Sequence, residues 1–395
     1  MPLANYILAI LLALLSTPLL AQQQRSTTLV HYMPWYSTKS VSGAWGWHWT
    51  MGRFDPEKVD SDGQREIASQ DYPLIGPYDS NDPDALECHV LLIKFSGIDG
   101  VIIDWYGTTD LLDYGSIHRN TKHLIQFAKR AGLKFAICYE DATIQQMIQR
   151  DVIEPQQAVS QAQQTIRWVD ENWMSDPNYV QMDGDPILLV FGPRHFVKPA
   201  DWRQILSPSK HSIRLFCLPH LAKESGAGGV FGWPPVSGGK TISPADWQRY
   251  IAQLGRDHET VIAPVFPKFH DVYQQAGLHD SYGYLDDQSG KTFDQTLKLA
   301  HASDSALIQI ATWNDYGEGT MIEPTVAHRY RYLELLQKRS DNGLDTSDLR
   351  LPVQLYQLRK KHSGNAKVSA KLDAAAELLF NAKCDQAKNL LLSIE

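Results

Sequence analysis

Residues 307–324 read "LIQIATWNDYGEGTMIEP". Three apolar positions, Leu307, Ile308 and Ile310, are followed within a few residues by Trp313, Asn314, Asp315, Tyr316, Glu318 and Glu323. A short apolar run bounded by turn residues is the pattern of a buried strand. What it delivers at its end, acids and rings together, is not a packing pattern. The same grammar recurs upstream in "LVHYMPWY" (29–36), "GVIIDWYG" (100–107), "KFAICYED" (134–141), "ILLVFGP" (187–193), "RLFCLPH" (214–220), "GVFGWPP" (229–235) and "VIAPVFPKF" (261–269). With the run at 307 these make eight strands.

Amphipathic helical stretches separate them, among them "DPDALECHVLLIKFSG", "SIHRNTKHLIQFAKRAG", "QAQQTIRWVDENWM", "PADWQRYIAQLGR" and "KTFDQTLKLAHAS". Asp82-Pro83 and Ser243-Pro244 are helix openings, and Gly97 and Gly132 are helix stops. Strand and helix alternating eight times predict an α/β protein, a (β/α)8 TIM barrel, over residues 27–344. An open doubly wound sheet shares that alternation, but no G-x-G-x-x-G follows the first strand to support its dinucleotide-binding form. The 48 residues from Ser37 to Asp84 are far more than a first βα loop needs, which marks them as a functional insertion. Residues 345–395 read as helices only, a small C-terminal helical appendage.

The chain has 395 residues, 43% apolar and 21% charged, and a formal charge of -8, the composition of a globular protein with no use for a phosphate backbone. A nucleic-acid partner is therefore not expected. "MPLANYILAILLALLSTPLLAQQQ" at the start has the h-region length and small-residue end of a secretory signal, residues 1–21, cleaved near Ala21. Beyond it no stretch reaches the ~20 apolar residues of a membrane span, so the mature protein is expected to be exported, periplasmic or extracellular, and free of the membrane. Cys88, Cys138, Cys217 and Cys384 sit in apolar or helical runs without C-x-x-C spacing and read as buried free thiols rather than a disulfide framework or a metal site.

In a parallel barrel all strand C-termini emerge on one face, where the βα loops build the site. The predicted ends carry Pro34-Trp35-Tyr36, Asp104-Trp105-Tyr106, Tyr139-Glu140-Asp141, Arg194-His195, His220, Trp233, then Lys268, His270, Asp271 and Tyr273, and finally the residues at 313–318. Sugar rings offer C–H faces that stack on aromatic side chains and hydroxyls that pair with Asp, Asn, His and Arg. Cleaving a glycosidic bond needs two carboxyl groups, one to protonate the leaving oxygen and one to act as nucleophile or base. Glu140, Asp104, Glu318 and Asp141 are the catalytic candidates. Tyr32, Trp35, Tyr36, His48, Trp49, Trp105, Tyr139, Trp233, Trp313 and Asn314 are the candidates for the sugar-binding wall. "WGWHW" (45–49), three Trp in five residues of a polar loop, has no helical or strand stripe to explain it.

No G-x-S-x-G elbow and no H-E-x-x-H is present, and the rim histidines His48, His195, His220 and His270 come from separated loops. No metal or cofactor is expected, and a carbohydrate is the expected partner. Two rivals remain: a glycan-binding barrel of polysaccharide utilisation without turnover, and a polysaccharide lyase, for which the rim offers few cations.

"HYMPWY", "GWHW", "GPYDS", "GIDGVIIDWYG" and "TWNDYGEGTMIEP" together resemble the glycoside hydrolase family 71/99-like proteins, a group of endo-α-mannosidases and α-1,3-glucanases, from about His31 to Tyr332. The resemblance implies a (β/α)8 barrel that hydrolyses α-linked glycans, often within a chain, and it places Glu140 as the catalytic Glu after the third strand. The endo-α-mannosidases continue with Pro-Tyr and a second catalytic Glu three residues on. Here Asp141 and Ala142 follow, and Thr143 stands at that third position.

Overall fold

The computed structural model describes residues 25–340 and 342–394. The signal expected at 1–21 lies outside the described residues. The eight strands are β1 (Thr27–Tyr32), β2 (Gly100–Trp105), β3 (Lys134–Tyr139), β4 (Asp185–Val190), β5 (Arg214–Cys217), β6 (Gly229–Phe231), β7 (Val261–Val265) and β8 (Leu307–Ile310). Each pairs in parallel with the next, and β8 returns to β1 with Thr27 opposite Leu307 and Val30 opposite Ile310. The sheet is closed, so the barrel read from the alternation is the observed fold and the open sheet is excluded.

Helices α1 (Pro83–Phe95), α2 (Tyr114–Arg130), α3 (Ala158–Val169), α4 (Pro199–Leu206), α5 (Ala222–Ser225), α6 (Pro244–Asp257), α7 (Lys291–Ala302) and α8 (Arg331–Gln337) form the outer ring. Their ends obey local chemistry. The Asp82 carboxylate accepts from the Asp84 N–H before α1, and Ser243 and Asp246 cap each other's backbone N–H at α6. Gly97 and Gly132, at φ +83° and +76°, take the left-handed conformation that ends α1 and α2.

Strand residues alternate between two cores. Leu29, Ile102, Ala136, Cys138, Leu189 and Phe216 fill the barrel lumen. Val30, Tyr32, Ile103, Trp105, Ile137, Tyr139 and Val190 face the helices. This alternation fixes the site, because a residue that continues the lumen column past the strand end emerges into the mouth of the barrel.

Helices α9 (Leu351–Lys361), α10 (Ala366–Phe380) and α11 (Cys384–Leu392) follow. Leu355, Leu358, Leu372 and Leu379 share one continuous core with the barrel's outer layer. Arg359 pairs with Glu87 at 2.8 Å, Lys360 with Asp82 and Asp84 at 2.7 Å each, and the Lys94 ammonium donates to the Phe380 carbonyl at 2.6 Å. Helix α9 and the end of α10 thereby lie against α1, and α11 packs on α9 and α10. All four cysteines are buried and free. No helix among the described residues is long and apolar enough to cross a membrane.

Candidate active site

The lumen columns of β1 to β4 and the loop after β8 converge on a cleft of about 490 Å³ at the C-terminal mouth. Met33, Tyr106, Glu140 and Phe191, each two residues beyond a lumen residue of its strand or strand end, line it together with Asp104, Asp315 and Glu318. Trp35, Trp47, Trp233, Tyr114, Tyr273 and Tyr282 supply aromatic wall, and Arg194 supplies positive charge.

Two glycines aim Glu318. The loop 313–320 pairs its backbone with the loop after β7, His270 N–H donating to the Glu318 carbonyl at 2.9 Å and Val272 N–H to Gly317 at 3.0 Å. Gly319 sits at φ +68°, and a Cβ there would run into the His270 carbonyl oxygen. Asp315 Oδ1 accepts the Glu318 N–H at 2.9 Å. The Trp233 indole N–H donates to Glu318 Oε2 at 2.9 Å.

Burial, then the Asp315 charge, pushes the Glu318 carboxyl up to about 8, against the Trp233 hydrogen bond and the Arg194 charge. Asp104 is pushed up to about 8 by burial first and then by Asp315, with the neighbouring Tyr106 hydroxyl opposing the rise. Glu140 is raised well above the carboxylate range by burial, with Asp104 the next cause. Burial also lifts Asp315 to about 6. Like charges in a desolvated space cannot all ionise, so such a cluster retains protons near neutral pH. Glu318 is half-buried and Glu140 9% exposed, whereas Asp104 lies deeper at 2%.

Asp104, Glu140, Glu318, Trp35 and Trp233 therefore meet in one cleft. His48 lies next door: it stacks on Trp35 at 4.1 Å, pairs with Asp113 at 3.3 Å, and lines a neighbouring hollow of about 510 Å³ that shares Trp47, Tyr106 and Tyr114 with the cleft. The other expected residues sit elsewhere. Asp141 points away from the lumen and accepts the backbone N–H groups of Arg194, His195 and Phe196 at 2.7, 2.8 and 2.9 Å, clamping the loop after β4. Trp105 is fully buried among Trp168, Trp173 and His118 in the helix layer. Tyr139 packs there too, its hydroxyl 3.2 Å from Thr143 Oγ1.

Tyr32, Tyr36, Trp49, Trp313 and Asn314 are buried beneath the rim and form no part of the cleft wall. Asn314 holds the barrel seam, its amide accepting from Met33 N–H at 2.8 Å and donating to the Met33 carbonyl at 3.0 Å. Tyr36 packs on Trp49 at 4.0 Å and donates to the Asn314 carbonyl at 2.9 Å, and Trp49 donates to the Tyr78 carbonyl at 2.8 Å. The physical reason is the same throughout: strand-end residues of the outward register, and loop rings folded beneath the rim, are consumed by packing.

Tyr106, Arg194 and Tyr273, strand-end residues outside the expected sugar-binding set, also line the cleft. Continuing the two-residue alternation from Ile102 through Asp104 reaches Tyr106 and would have selected it. Met33 and Phe191 follow from the same count. Tyr282 comes from the loop after β7, held by Asp271, whose Oδ2 accepts Tyr282 N–H at 2.8 Å. No strand register leads to it.

The family model for Glycosyl hydrolase family 99 matches residues 24–218. That segment is a family 99 domain. It carries β1 to β5 and with them Trp35, Trp47, Asp104, Glu140 and Arg194; Asp315 and Glu318 lie beyond the match. Among relatives, the mouse (Mus musculus) protein named glycoprotein endo-alpha-1,2-mannosidase is 25% identical over 358 residues, 78% of this chain and 73% of the mouse protein. The rat (Rattus norvegicus) protein of that name is 22% identical over 357 residues, 78% of this chain and 73% of its own. A solved GH99 endo-alpha-mannosidase from Bacteroides thetaiotaomicron has the same fold, with a TM-score of 0.57, 20% identity, and coverage of 85% of this chain and 98% of that one. The family 99 match supports hydrolase activity on carbohydrate.

Proposed function

We propose that this protein is an exported glycoside hydrolase that cleaves α-linked glycans with Glu140 and Glu318 as its carboxyl pair. The observation that carries the reading is the convergence of these two partly accessible carboxyl groups, over the more deeply buried Asp104, in a cleft walled by Trp35, Trp47 and Trp233. Glu318 receives an indole hydrogen bond, which stabilises its anion, and acts as nucleophile or base. Glu140 has no hydrogen bond to its carboxyl among the described residues and is the proton donor to the leaving oxygen. Thr143, buried and held by Tyr139, stands where the endo-α-mannosidases place their second Glu, so the pair is drawn from two strand ends rather than from one loop. The α linkage follows the endo-α-mannosidases that the chain resembles.

The test is reducing-sugar release from a panel of α-mannans and α-glucans by the wild type beside Glu140→Gln. Release that falls ~100-fold or more in the variant is the expected outcome for loss of a general acid. Equal release by both proteins removes Glu140 from the chemistry. Binding of a glycan by both without release assigns the cleft to recognition alone, the reading that the missing second Glu of the loop favours.

A further inference from the structure

Below Glu140 and Tyr106 the barrel lumen holds three side chains from adjacent strands: His31 of β1, Asp104 of β2 and Cys138 of β3. One ligand atom of each, an imidazole nitrogen, a carboxylate oxygen and the sulfur, lies within 4.8 Å of the other two. This is the one such group of His, Cys, Asp and Glu among the described residues. His31 is fully buried, yet neither Nδ1 nor Nε2 has a hydrogen-bond partner among them, and the same is true of Asp104 Oδ2. Buried polar atoms are paired in the great majority of cases, so the unpartnered imidazole and the unpartnered carboxylate oxygen, each with an atom within 4.8 Å of the Cys138 sulfur, call for a shared partner.

We propose that His31, Asp104 and Cys138 form a binding site for one divalent transition ion of the zinc class at the floor of the cleft. Imidazole, carboxylate and thiolate are the donor set that such borderline-soft ions take, and three protein ligands leave a fourth tetrahedral position for a small oxygen ligand. Metal–ligand bonds of about 2.0–2.3 Å put tetrahedral ligand atoms roughly 3.3–3.8 Å apart, so inward shifts of about 1 Å close the site. Binding releases the Cys138 thiol proton, and Asp104 binds as carboxylate. Two negative ligands and a neutral imidazole balance the charge of the ion. The loaded site is then neutral and removes from beneath Glu140 the charge that an ionised Asp104 would place there. Asp104 is shared with the cleft, so the test of the site reads metal content and spectra rather than turnover and does not depend on the glycosidase assignment.

The full chain, made without a polyhistidine tag in cobalt-supplemented medium and purified without chelators, tests it by metal analysis and absorption spectroscopy. Expected are about one cobalt per chain, intense visible bands of tetrahedral Co(II) and a near-ultraviolet thiolate-to-cobalt charge-transfer band. Cys138→Ser should abolish the charge-transfer band and lower the cobalt content at least ~10-fold. Cys217→Ser, at another buried free thiol, should leave both unchanged. His31→Gln should lower the content as Cys138→Ser does and serves if the serine variant does not fold. A content below about a tenth of an ion per chain, or a charge-transfer band that survives in folded Cys138→Ser, overturns the proposal.

Discussion

Glu318 and Glu323 stand five residues apart in one loop and have opposite surroundings. Glu323 is buried with every neighbour committed to it: the Tyr78 hydroxyl donates to Oε2 at 2.8 Å, His89 Nε2 lies 3.1 Å from Oε1, and His89 Nδ1 is in turn 2.8 Å from the Tyr32 hydroxyl. Glu318 has one indole N–H and otherwise faces Asp315, Asp271 and Arg194. Both clusters are made of acids and rings, so residue type does not separate them. Satisfaction does. A carboxylate whose hydrogen bonds are all filled by its own fold has nothing left to offer a substrate, and one crowded by other carboxyls stores the proton affinity that acid–base chemistry uses.

Removing each carboxylate in turn should pull the two regions apart. Glu318→Gln is expected to lower reducing-sugar release ~100-fold or more while leaving the urea unfolding midpoint unchanged or higher, since it relieves like-charge crowding. Glu323→Ala should do the reverse. The Tyr78 hydroxyl and His89 are left without their acceptor in a dry layer, at a cost of about 3 kcal/mol in unfolding free energy. The rate per folded molecule should change by less than about threefold. If Glu323→Ala abolished turnover at full stability, the division between a working and a supporting cluster would be wrong.

The pH response offers a finer cut. Glu318 must lose its proton to act as base, so kcat/KM should rise toward an inflection near 8. The Asp315 charge is one reason that value is high. Asp315→Asn removes it and should move the inflection to lower pH, by about one unit, whereas Trp233→Phe, which deletes the hydrogen bond to the anion, should move it up. Stability follows the same sign. The folded state keeps a proton on Glu318 that the unfolded chain releases above about 4.5, so the group costs stability progressively as pH climbs from about 4.5 to about 8. Glu318→Gln should remove that part of the slope, which thermal melts at pH 5 and pH 8 would read. An inflection that ignores both Asp315→Asn and Trp233→Phe would detach it from Glu318.

The barrel was legible because apolar runs and helix punctuation carry the alternation directly, and every one of the eight runs became a strand. The site was legible only in part. Strand ends were read as blocks, yet each block holds two faces: Asp104 and Tyr106 reach the cleft while Trp105 between them is walled in by Trp168 and Trp173. Glu140 likewise reaches it, flanked by Tyr139 and Asp141, which do not. Counting by twos from the lumen would have separated these. The rest depends on loop geometry that no strand register sets: Asn314 turned back to hold Met33, and Tyr282 was brought to the cleft by its bond to Asp271. The lumen trio of His31, Asp104 and Cys138 was invisible for a related reason. Its members are 73 and 34 residues apart in sequence and meet only because β1, β2 and β3 are neighbours.

The smallest expected effect lies inside "WGWHW", where the same contrast is compressed into three residues. Trp47 is 48% exposed and lines the cleft, while Trp49 is fully buried, packed on Tyr36 and Tyr316. A ring that stacks on a sugar face contributes about 1 kcal/mol, so Trp47→Ala should raise KM roughly 3–10-fold with kcat nearly unchanged and the unfolding midpoint intact. Trp49→Ala empties a core site instead and should cost about 3–5 kcal/mol of stability. Initial rates over a range of glycan concentrations, taken beside urea titrations, read both. An unchanged KM in Trp47→Ala would mean that exposure at the rim is not contact with substrate, and that the sugar-facing tryptophans of the cleft are Trp35 and Trp233.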